Sequence, residues 1–248
     1  MHADRHGWIM AAMVLTLATL AQAGGLHLRM ERTYVDGADT KTADWSGSGN
    51  HGTLVNGPTL TAGRVGRGMQ LVAASSQYVD VPHASSLVVS TTATWSVWIN
   101  RAAHNRQAGL ITKYTTASNQ RGYQITESTE SDDPTRVAFA LSSDGVTFER
   151  VFSALDYIDD AVWIHLAVTF NAGDVRFYKN GKLHSQASTT RTSIFNNTGK
   201  STEVGNYSLA ARSFNGTIDE PIITPFAWTA NEVRAYYHSG VVPSRRSE

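Results

Sequence analysis

Apolar residues recur at every second position along this chain, and this alternation limits the fold more than any other feature of the sequence. It begins with Leu26, Leu28 and Met30 and returns in Tyr78–Val81, in Trp95, Val97 and Ile99, in Val137, Phe139 and Leu141, in Ile164, Leu166, Val168 and Phe170, and in Val175 and Phe177. Successive side chains of a β-strand point to opposite faces, so a period of two predicts half-buried strands. Turn-forming residues separate these runs, which indicates about a dozen strands. An apolar sheet face must be buried against another layer, so we predict two stacked antiparallel sheets.

Two short segments give sharper local predictions. Asn180-Gly181 is typical of a two-residue type I′ hairpin turn, because both residues accept a positive φ at little cost. Near the end of the chain, Thr229 and Glu232 have the spacing of a capping box, which predicts a helix over about Thr229 to Tyr237 on the outside of the sheets. Gly240 is the expected stop of this helix.

The charge balance argues against two classes of partner. The 248 residues include 21 Lys and Arg and 21 Asp and Glu side chains, so the formal net charge is zero. Without a net field there is no long-range attraction for phosphate backbones or anionic lipid headgroups. We therefore expect no nucleic-acid partner and no docking to a membrane.

The first residues indicate export. A short basic head precedes an uncharged stretch that ends in Ala21-Gln22-Ala23, which is typical of a secretory signal peptide and its cleavage site. We predict a signal peptide over residues 1–23, a domain over 24–240 and a polar tail over 241–248. The protein would then be secreted, periplasmic or held at the cell surface. The alternative is an uncleaved anchor, because the run without a charged residue or His continues to Leu26.

Short segments spread along the chain resemble a known family. In chain order they are Asp44-Trp45-Ser46-Gly47 with Gly49-Asn50-His51-Gly52, Gly63-Arg64-Val65-Gly66-Arg67-Gly68-Met69, Trp95-Ser96-Val97-Trp98-Ile99, Trp163-Ile164-His165-Leu166-Ala167, Phe177-Tyr178-Lys179-Asn180-Gly181-Lys182 and Gly216-Thr217-Ile218-Asp219-Glu220. Their order, over nearly all of residues 26–238, resembles the laminin G-like, concanavalin A-like jelly-roll family in its bacterial form. Together with the helix signal, the resemblance predicts an all-β, two-sheet antiparallel sandwich, the concanavalin A-like jelly roll, with one short C-terminal helix. Function stays open, because the family includes carbohydrate-binding and adhesion modules as well as domains appended to glycosidases and lyases.

One residue departs from the family pattern. Pro221 follows Asp219-Glu220, where such sequences usually continue with a small or β-branched residue. Proline has no N–H for the hydrogen-bonded ladder. We therefore expect this strand to lie at an edge of its sheet or to be bulged at Pro221.

The resemblance also implies a calcium site. Many relatives hold a calcium ion near the edge of the sandwich with acidic side chains from the beginning and the end of the chain, and calcium takes roughly six to eight oxygen ligands. The matching candidates are Asp44 and Asp219, with Glu31 as a weaker third. The alternative is structural, with Asp44 capping its own turn and Asp219 meeting a nearby Arg.

Aromatic side chains are the candidates for carbohydrate recognition, because flat rings stack on the apolar side of a sugar. If the alternating residues of Trp95–Ile99 face the core, Trp98 faces the opposite, concave side of the sheet and is the first choice. Tyr123, Tyr178 and His165 complete the predicted ligand-binding set. The alternative for Trp98 is burial under a covering loop, and the alternative for His165 is a hydrogen-bonded structural role.

Catalysis finds little support in the sequence. Glycoside hydrolysis on such a sandwich needs two carboxylates about 5 to 10 Å apart in one groove, and therefore acids two or four residues apart on one strand. The strand of Glu-x-Asp-x-Glu type found in glucanase relatives has no equivalent here. Asp219 and Glu220 are adjacent, so their side chains are expected on opposite faces.

The leading hypothesis is a secreted, non-catalytic binding module, associated with calcium. Its partner would be an extracellular carbohydrate, or a matrix or surface protein. The alternatives are a glycan-active enzyme of the same fold, such as a glucanase or a polysaccharide lyase, and a structural surface protein.

Overall fold

The computed structural model describes residues 24–128, 133–208 and 212–244, so the predicted signal peptide lies outside the described residues. Its strands are β1 Leu26–Asp36, β2 Asp39–Asp44, β3 Gly52–Val55, β4 Thr59–Ala62, β5 Arg67–Leu71, β6 Tyr78–Val81, β7 Thr92–Arg101, β8 Gly109–Tyr114, β9 Arg121–Glu127, β10 Val137–Leu141, β11 Glu149–Phe152, β12 Trp163–Asn171, β13 Asp174–Lys179, β14 Lys182–Ser188, β15 Thr202–Val204 and β16 Gly216–Thr224. Within the same ranges there is one α-helix, α1 Ala230–Ser239, and short 3₁₀ turns lie at Ala73–Ser75, Ser85–Leu87 and Ala117–Asn119. No helix in these ranges has the length and apolar character required to span a lipid bilayer.

The strands form one connected antiparallel ladder. Its order is β11-β10-β9-β8-β15-β6-β3-β2-β1-β16-β7-β12-β13-β14, with β5 beside β16 and β4 beside β5. A first arm, β2 to β11, and a second arm, β16 to β14, meet at β1, whose register with β2 is interrupted between Leu28 and Thr33. The predicted all-β antiparallel fold with one helix is confirmed. Its strands are linked through β1 and are not divided into two unconnected sheets.

The core lies between the inner faces of the two arms. Trp95 of β7 meets Tyr123 of β9, with ring centroids 4.8 Å apart, and Phe139 of β10 at 5.2 Å. Phe139 also contacts Phe170 of β12 at 6.1 Å. All four rings are buried. The alternating apolar residues therefore supply the core, and the side chains between them on the second arm face outward.

Helix α1 packs on the outer face of the second arm. The predicted capping box is present: Thr229 Oγ1 accepts a hydrogen bond from the Glu232 amide, and the Glu232 carboxylate accepts one from the Thr229 amide. Val233 and Tyr236 are buried in an apolar cluster against this face. Gly240 follows the helix with a left-handed φ of 67°, as a C-cap requires. The predicted start and stop of the helix are confirmed.

Strand β16 is a central strand with a bulge. It pairs with β1, β5 and β7, and its register against β7 shifts between Asp219 and Ile222. Glu220 has a φ of 50°, which is uncommon for a residue with a side chain. Pro221 fits here because the ladder is already interrupted. Of the two positions expected for Pro221, the bulge is correct and the sheet edge is wrong.

The hairpin between β13 and β14 turns at Asn180-Gly181, as predicted. Both residues have positive φ, 51° and 78°, and Lys179 and Lys182 are paired across the turn. This is the geometry of a type I′ turn. Gly181 also packs on the helix, since a Cβ at this position would lie 2.9 Å from Tyr237. The turn therefore places Lys179 and Lys182 beside α1.

Candidate functional site

A cavity on the outer face of the second arm is the candidate binding site. It has a volume of about 580 Å³ and lies between β1, β7, β16, the loop over residues 63–66 and the C-terminal end of α1. Aromatic and charged side chains line it, among them Trp45, Trp98, Tyr237, His27, Arg29, Arg64, Glu220 and His238. Concave surfaces that combine ring faces with a few directional polar groups are typical of ligand sites.

Trp98 forms part of the floor of this cavity. Its neighbours Val97 and Ile99 are buried in the core, so Trp98 projects from the other face of β7, as predicted. The Arg64 guanidinium lies 4.8 Å from the centroid of the indole, and the Tyr237 ring stacks on it at 5.4 Å. Only 5% of Trp98 is exposed. Trp98 is therefore covered, as in the alternative reading, and the cover consists of Arg64 and α1.

Tyr123 and Tyr178 lie in the interior and do not contribute to the cavity wall. Tyr123 is buried in the core against Trp95, where burial raises its pKa to about 12. Tyr178 is buried in the cluster beneath α1. Neither ring offers a face to a ligand, so the structure does not bring them together with Trp98 as a binding surface. The alternation of β9 turns Tyr123 inward, and the position of α1 covers Tyr178.

His165 is a buried residue beside Trp98, as its cross-strand partner on β12. The two ring centroids are 5.1 Å apart, and His165 Nε2 is 2.8 Å from the hydroxyl oxygen of Ser96. Burial lowers the pKa of His165 to about 3, so its imidazole is neutral at physiological pH. This placement matches the hydrogen-bonded structural alternative. His165 packs against Trp98 from the neighbouring strand and is not among the residues that line the cavity.

Trp45 supplies the exposed ring of the site. It lies in the turn after β2 with 48% of its surface exposed, and the Arg29 guanidinium sits 5.2 Å from the ring centroid. Asp44 holds this turn, because its carboxylate accepts hydrogen bonds from the amides of His27 and Asn50, each at 2.9 Å. Trp45 is not among the ligand-binding residues predicted from the sequence. A Trp in a polar turn has no strand face to bury it, and this was the available signal.

Glu220 carries the carboxylate of the cavity wall. It accepts a hydrogen bond from His27 Nε2, and its other oxygen lies 3.5 Å from Arg29 Nε. Arg64 lines the same cavity. Among the described residues of the wall, two arginines thus face one carboxylate, and the wall is net positive.

Asp219 lies behind this wall and anchors its rim. Its Oδ2 accepts hydrogen bonds from the amides of Arg64 and Val65, both at 2.9 Å. Burial raises the pKa of Asp219 to about 7, although these amides act in the opposite direction. The expectation that Asp219 and Glu220 point to opposite faces is wrong. The bulge at Glu220 breaks the alternation, and both carboxylates contact elements of the cavity wall.

The three predicted calcium ligands are engaged in separate hydrogen bonds. Both oxygens of Asp44 accept from its own turn or from β1, including the amide of Asn50. The Glu31 carboxylate accepts a hydrogen bond from the Arg67 amide at 3.3 Å, and the Asp219 carboxylate accepts one from the Arg64 amide in the loop over residues 63–66. No group of three or more Asp, Glu, His or Cys side chains among the described residues is placed to hold a metal ion. This arrangement does not fit one ion shared by the three, and calcium binding stays a prediction.

Comparisons with solved structures show the fold of this chain. The binding domain of Paraclostridial Mosquitocidal Protein 1 has a TM-score of 0.69 and 17% identity over 89% of this chain and 52% of that one. Domain 4 of AbnA, a GH43 extracellular arabinanase from Geobacillus stearothermophilus, solved with arabinotriose, has a TM-score of 0.66 and 19% identity over 88% of this chain and 100% of that one. The binding domain of botulinum neurotoxin serotype G has a TM-score of 0.61 and 15% identity over 87% and 50%. The chain spans about half the length of the two toxin binding domains.

Comparison of the sequence with family models agrees with the structural likeness. No curated protein matches the chain. A family model of the laminin G type, described as the concanavalin A-like lectin/glucanases superfamily, matches residues 73–234. This match includes β6 to β16 and the first half of α1. The chain belongs to the concanavalin A-like lectin/glucanase superfamily.

Proposed function

We propose that this protein is a non-catalytic binding module for extracellular carbohydrate or matrix, with its ligand site at the cavity lined by Trp45, Trp98 and Glu220, which we call the Trp45 cavity. The observation that carries the proposal is the combination of an exposed indole with fixed polar groups around it. A sugar ring binds by stacking its apolar face on an aromatic ring while its hydroxyl groups form directional hydrogen bonds. Trp45 supplies the ring, Arg29 supplies donors beside it, and Glu220 supplies acceptors.

The structural neighbours support a binding role. One is an arabinanase domain solved with arabinotriose, and others are binding domains of toxins. All of these chains are less than 20% identical to this one. They support the use of this fold in recognition, but the ligand has to be inferred from the residues of the site. The proposal includes export after cleavage at residue 23, a two-layer jelly-roll arrangement of the arms, and calcium as an accessory ligand.

Substitution of Trp45 tests the site. Isothermal titration with a panel of neutral and acidic oligosaccharides should find at least one ligand for the wild type, and Trp45→Ala should weaken its binding about tenfold, equivalent to about 1.4 kcal/mol. Val35→Ala is the matched control, because Val35 is an exposed apolar residue on β1 that does not line the cavity. Equal binding by wild type and Trp45→Ala would place the ligand elsewhere. An equal loss in both variants would show a general effect on the fold.

A glycan-cleaving enzyme is the second candidate, and one observation favours it. Asp219 is a carboxyl group whose pKa burial raises to about 7, beside Glu220. A carboxyl group that stays protonated near neutral pH can act as a general acid. Assays for reducing ends and for unsaturated products over a panel of polysaccharides test whether the protein cleaves glycans. Turnover that survives purification and disappears in Asp219→Asn would establish the enzyme, and we expect none.

A further inference from the structure

A second cavity adjoins the Trp45 cavity. Its volume is about 540 Å³, and it lies between the β13–β14 hairpin and α1. Lys179, Lys182 and Arg234 line it, and Tyr237 and His238 line both cavities. The two cavities therefore lie on either side of Tyr237 and His238 in the last turn of α1, and together we call them the Tyr237 groove.

The Tyr237 ring forms an aromatic ridge inside this groove, and other residues contact it on both sides. On one side the Tyr237 ring stacks on Trp98, with centroids 5.4 Å apart and planes 28° apart. On the other side Gly181 of the hairpin turn approaches Tyr237 closely enough that an added Cβ would lie 2.9 Å from it. Because Gly181 packs on Tyr237, the hairpin turn places the backbone of Lys182 next to this aromatic ring.

The groove carries a net positive charge, although the net charge of the whole chain is zero. Its lining residues include five lysines and arginines, namely Arg29, Arg64, Lys179, Lys182 and Arg234, and among the described residues Glu220 is the one carboxylate that lines it. Lys179 also pairs with Asp159 at 3.0 Å, outside the lining. The C-terminal end of α1 adds only about half a negative charge, which the remaining cations outweigh.

We propose that the ligand of the Tyr237 groove is an anionic polysaccharide, with acidic substituents along its chain. The proposal rests on the proposed function and specifies its ligand class. Cations on both sides of an aromatic ridge suit a chain that presents a sulfate ester or a carboxylate on successive sugars, with ring faces between them. Leu183, which is 49% exposed, and Tyr237 supply apolar surface between the charges. The same cations would also attract a phosphate backbone, so a nucleic acid is the alternative outcome of the test, and the proposed carbohydrate-binding role favours a polysaccharide.

Titration of the full-length protein with three polysaccharides tests the ligand class. Dextran sulfate carries sulfate esters, polygalacturonate carries carboxylates, and unmodified dextran is neutral. We expect at least one polyanion to bind about tenfold more tightly than dextran, and its affinity to fall about fivefold between about 50 and about 300 mM NaCl, because exposed charges are screened. Whichever of the two polyanions binds more tightly identifies the acidic group, a sulfate ester or a carboxylate.

A charge-removing variant locates the binding. Lys182→Gln with Arg234→Gln should weaken polyanion binding about tenfold, and both residues are exposed, so the fold should be retained. The matched control is Arg32→Gln with Lys41→Gln, which removes the same charge outside the groove. Equal losses in the two double variants would refute the groove as the binding site. A single-stranded oligonucleotide that binds as tightly as dextran sulfate would refute the polysaccharide as its ligand. If neutral sugars bind in a Trp45-dependent way while polyanions do not, this inference fails and the proposed function stands. If no glycan binds at all, both fail.

Discussion

Replacing Asp44 by Ala should destabilise the protein by about 2 to 4 kcal/mol. The Asp44 carboxylate accepts hydrogen bonds from the amides of His27, Ser46 and Asn50, each at 2.9 Å, and from the Ser46 hydroxyl at 2.7 Å. Alanine leaves three amide donors without this acceptor, and a buried donor without a partner costs about 1 to 3 kcal/mol. Asp44 is half-buried, so water can reach part of the site and the total stays at the lower end of the sum.

Urea denaturation and thermal melting of the variant measure this loss, which should lower the melting temperature by roughly 5 to 15 °C. Asp44→Asn is the control, because its amide oxygen keeps one acceptor and should lose about half as much. The scans are run with calcium and with chelator, since a ligand of the folded state alone raises stability. A loss below about 0.5 kcal/mol in Asp44→Ala would refute the capping argument. A wild-type melting curve that chelator lowers to that of the variant would instead identify Asp44 as a metal ligand.

Four further predictions concern the helix cap, a glycine, a buried acid and the N-terminus. Thr229→Ala should cost about 1 kcal/mol in urea denaturation, because it removes the capping box of α1. Gly25→Ala should reduce the yield of folded protein in gel filtration to near zero, since Gly25 has a φ of 126° and an added Cβ would overlap the backbone of β16. Gly37→Ala is the control, because the space around Gly37 is open. Burial raises the pKa of Glu127 from 4.5 to about 8, so the stability it contributes is complete below pH 4.5 and is lost as the pH rises to about 8; Glu127→Gln should flatten this part of a stability–pH curve. Mass spectrometry of exported protein should find Gly24 at the N-terminus, and an intact leader would favour the anchor.

Local sequence rules predicted the parts of the fold that depend on neighbouring residues. The alternation around Trp95 identified the core face of β7, and the spacing of Thr229 and Glu232 identified the helix. The same rules failed where distant elements decide. Tyr178 is on the outer face of its strand, but α1 packs over it, and no residue pattern near Tyr178 predicts that the helix packs there.

The candidate site was less predictable than the fold. The alternation rule places Asp219 and Glu220 on opposite faces, and it fails because the bulge before Pro221 interrupts the pleat. Trp45 belongs to a turn motif, and nothing in that motif marks it as a binding residue. Its role depends on Arg29, which comes from another strand, and on the cavity that both share with α1.

β11 and β14, the two ends of the main strand order, are edges at which another copy of this chain could add a strand. An unpaired strand edge is a template on which another chain can add a strand. Here the ends approach each other, since the Ala154 amide, just after β11, donates a hydrogen bond to the hydroxyl of Ser185 on β14 at 2.9 Å. β14 also begins with Lys182, and charged side chains on an edge oppose strand addition. We therefore expect the folded protein to resist edge-to-edge aggregation at high concentration, without cysteine bridges to fasten its ends.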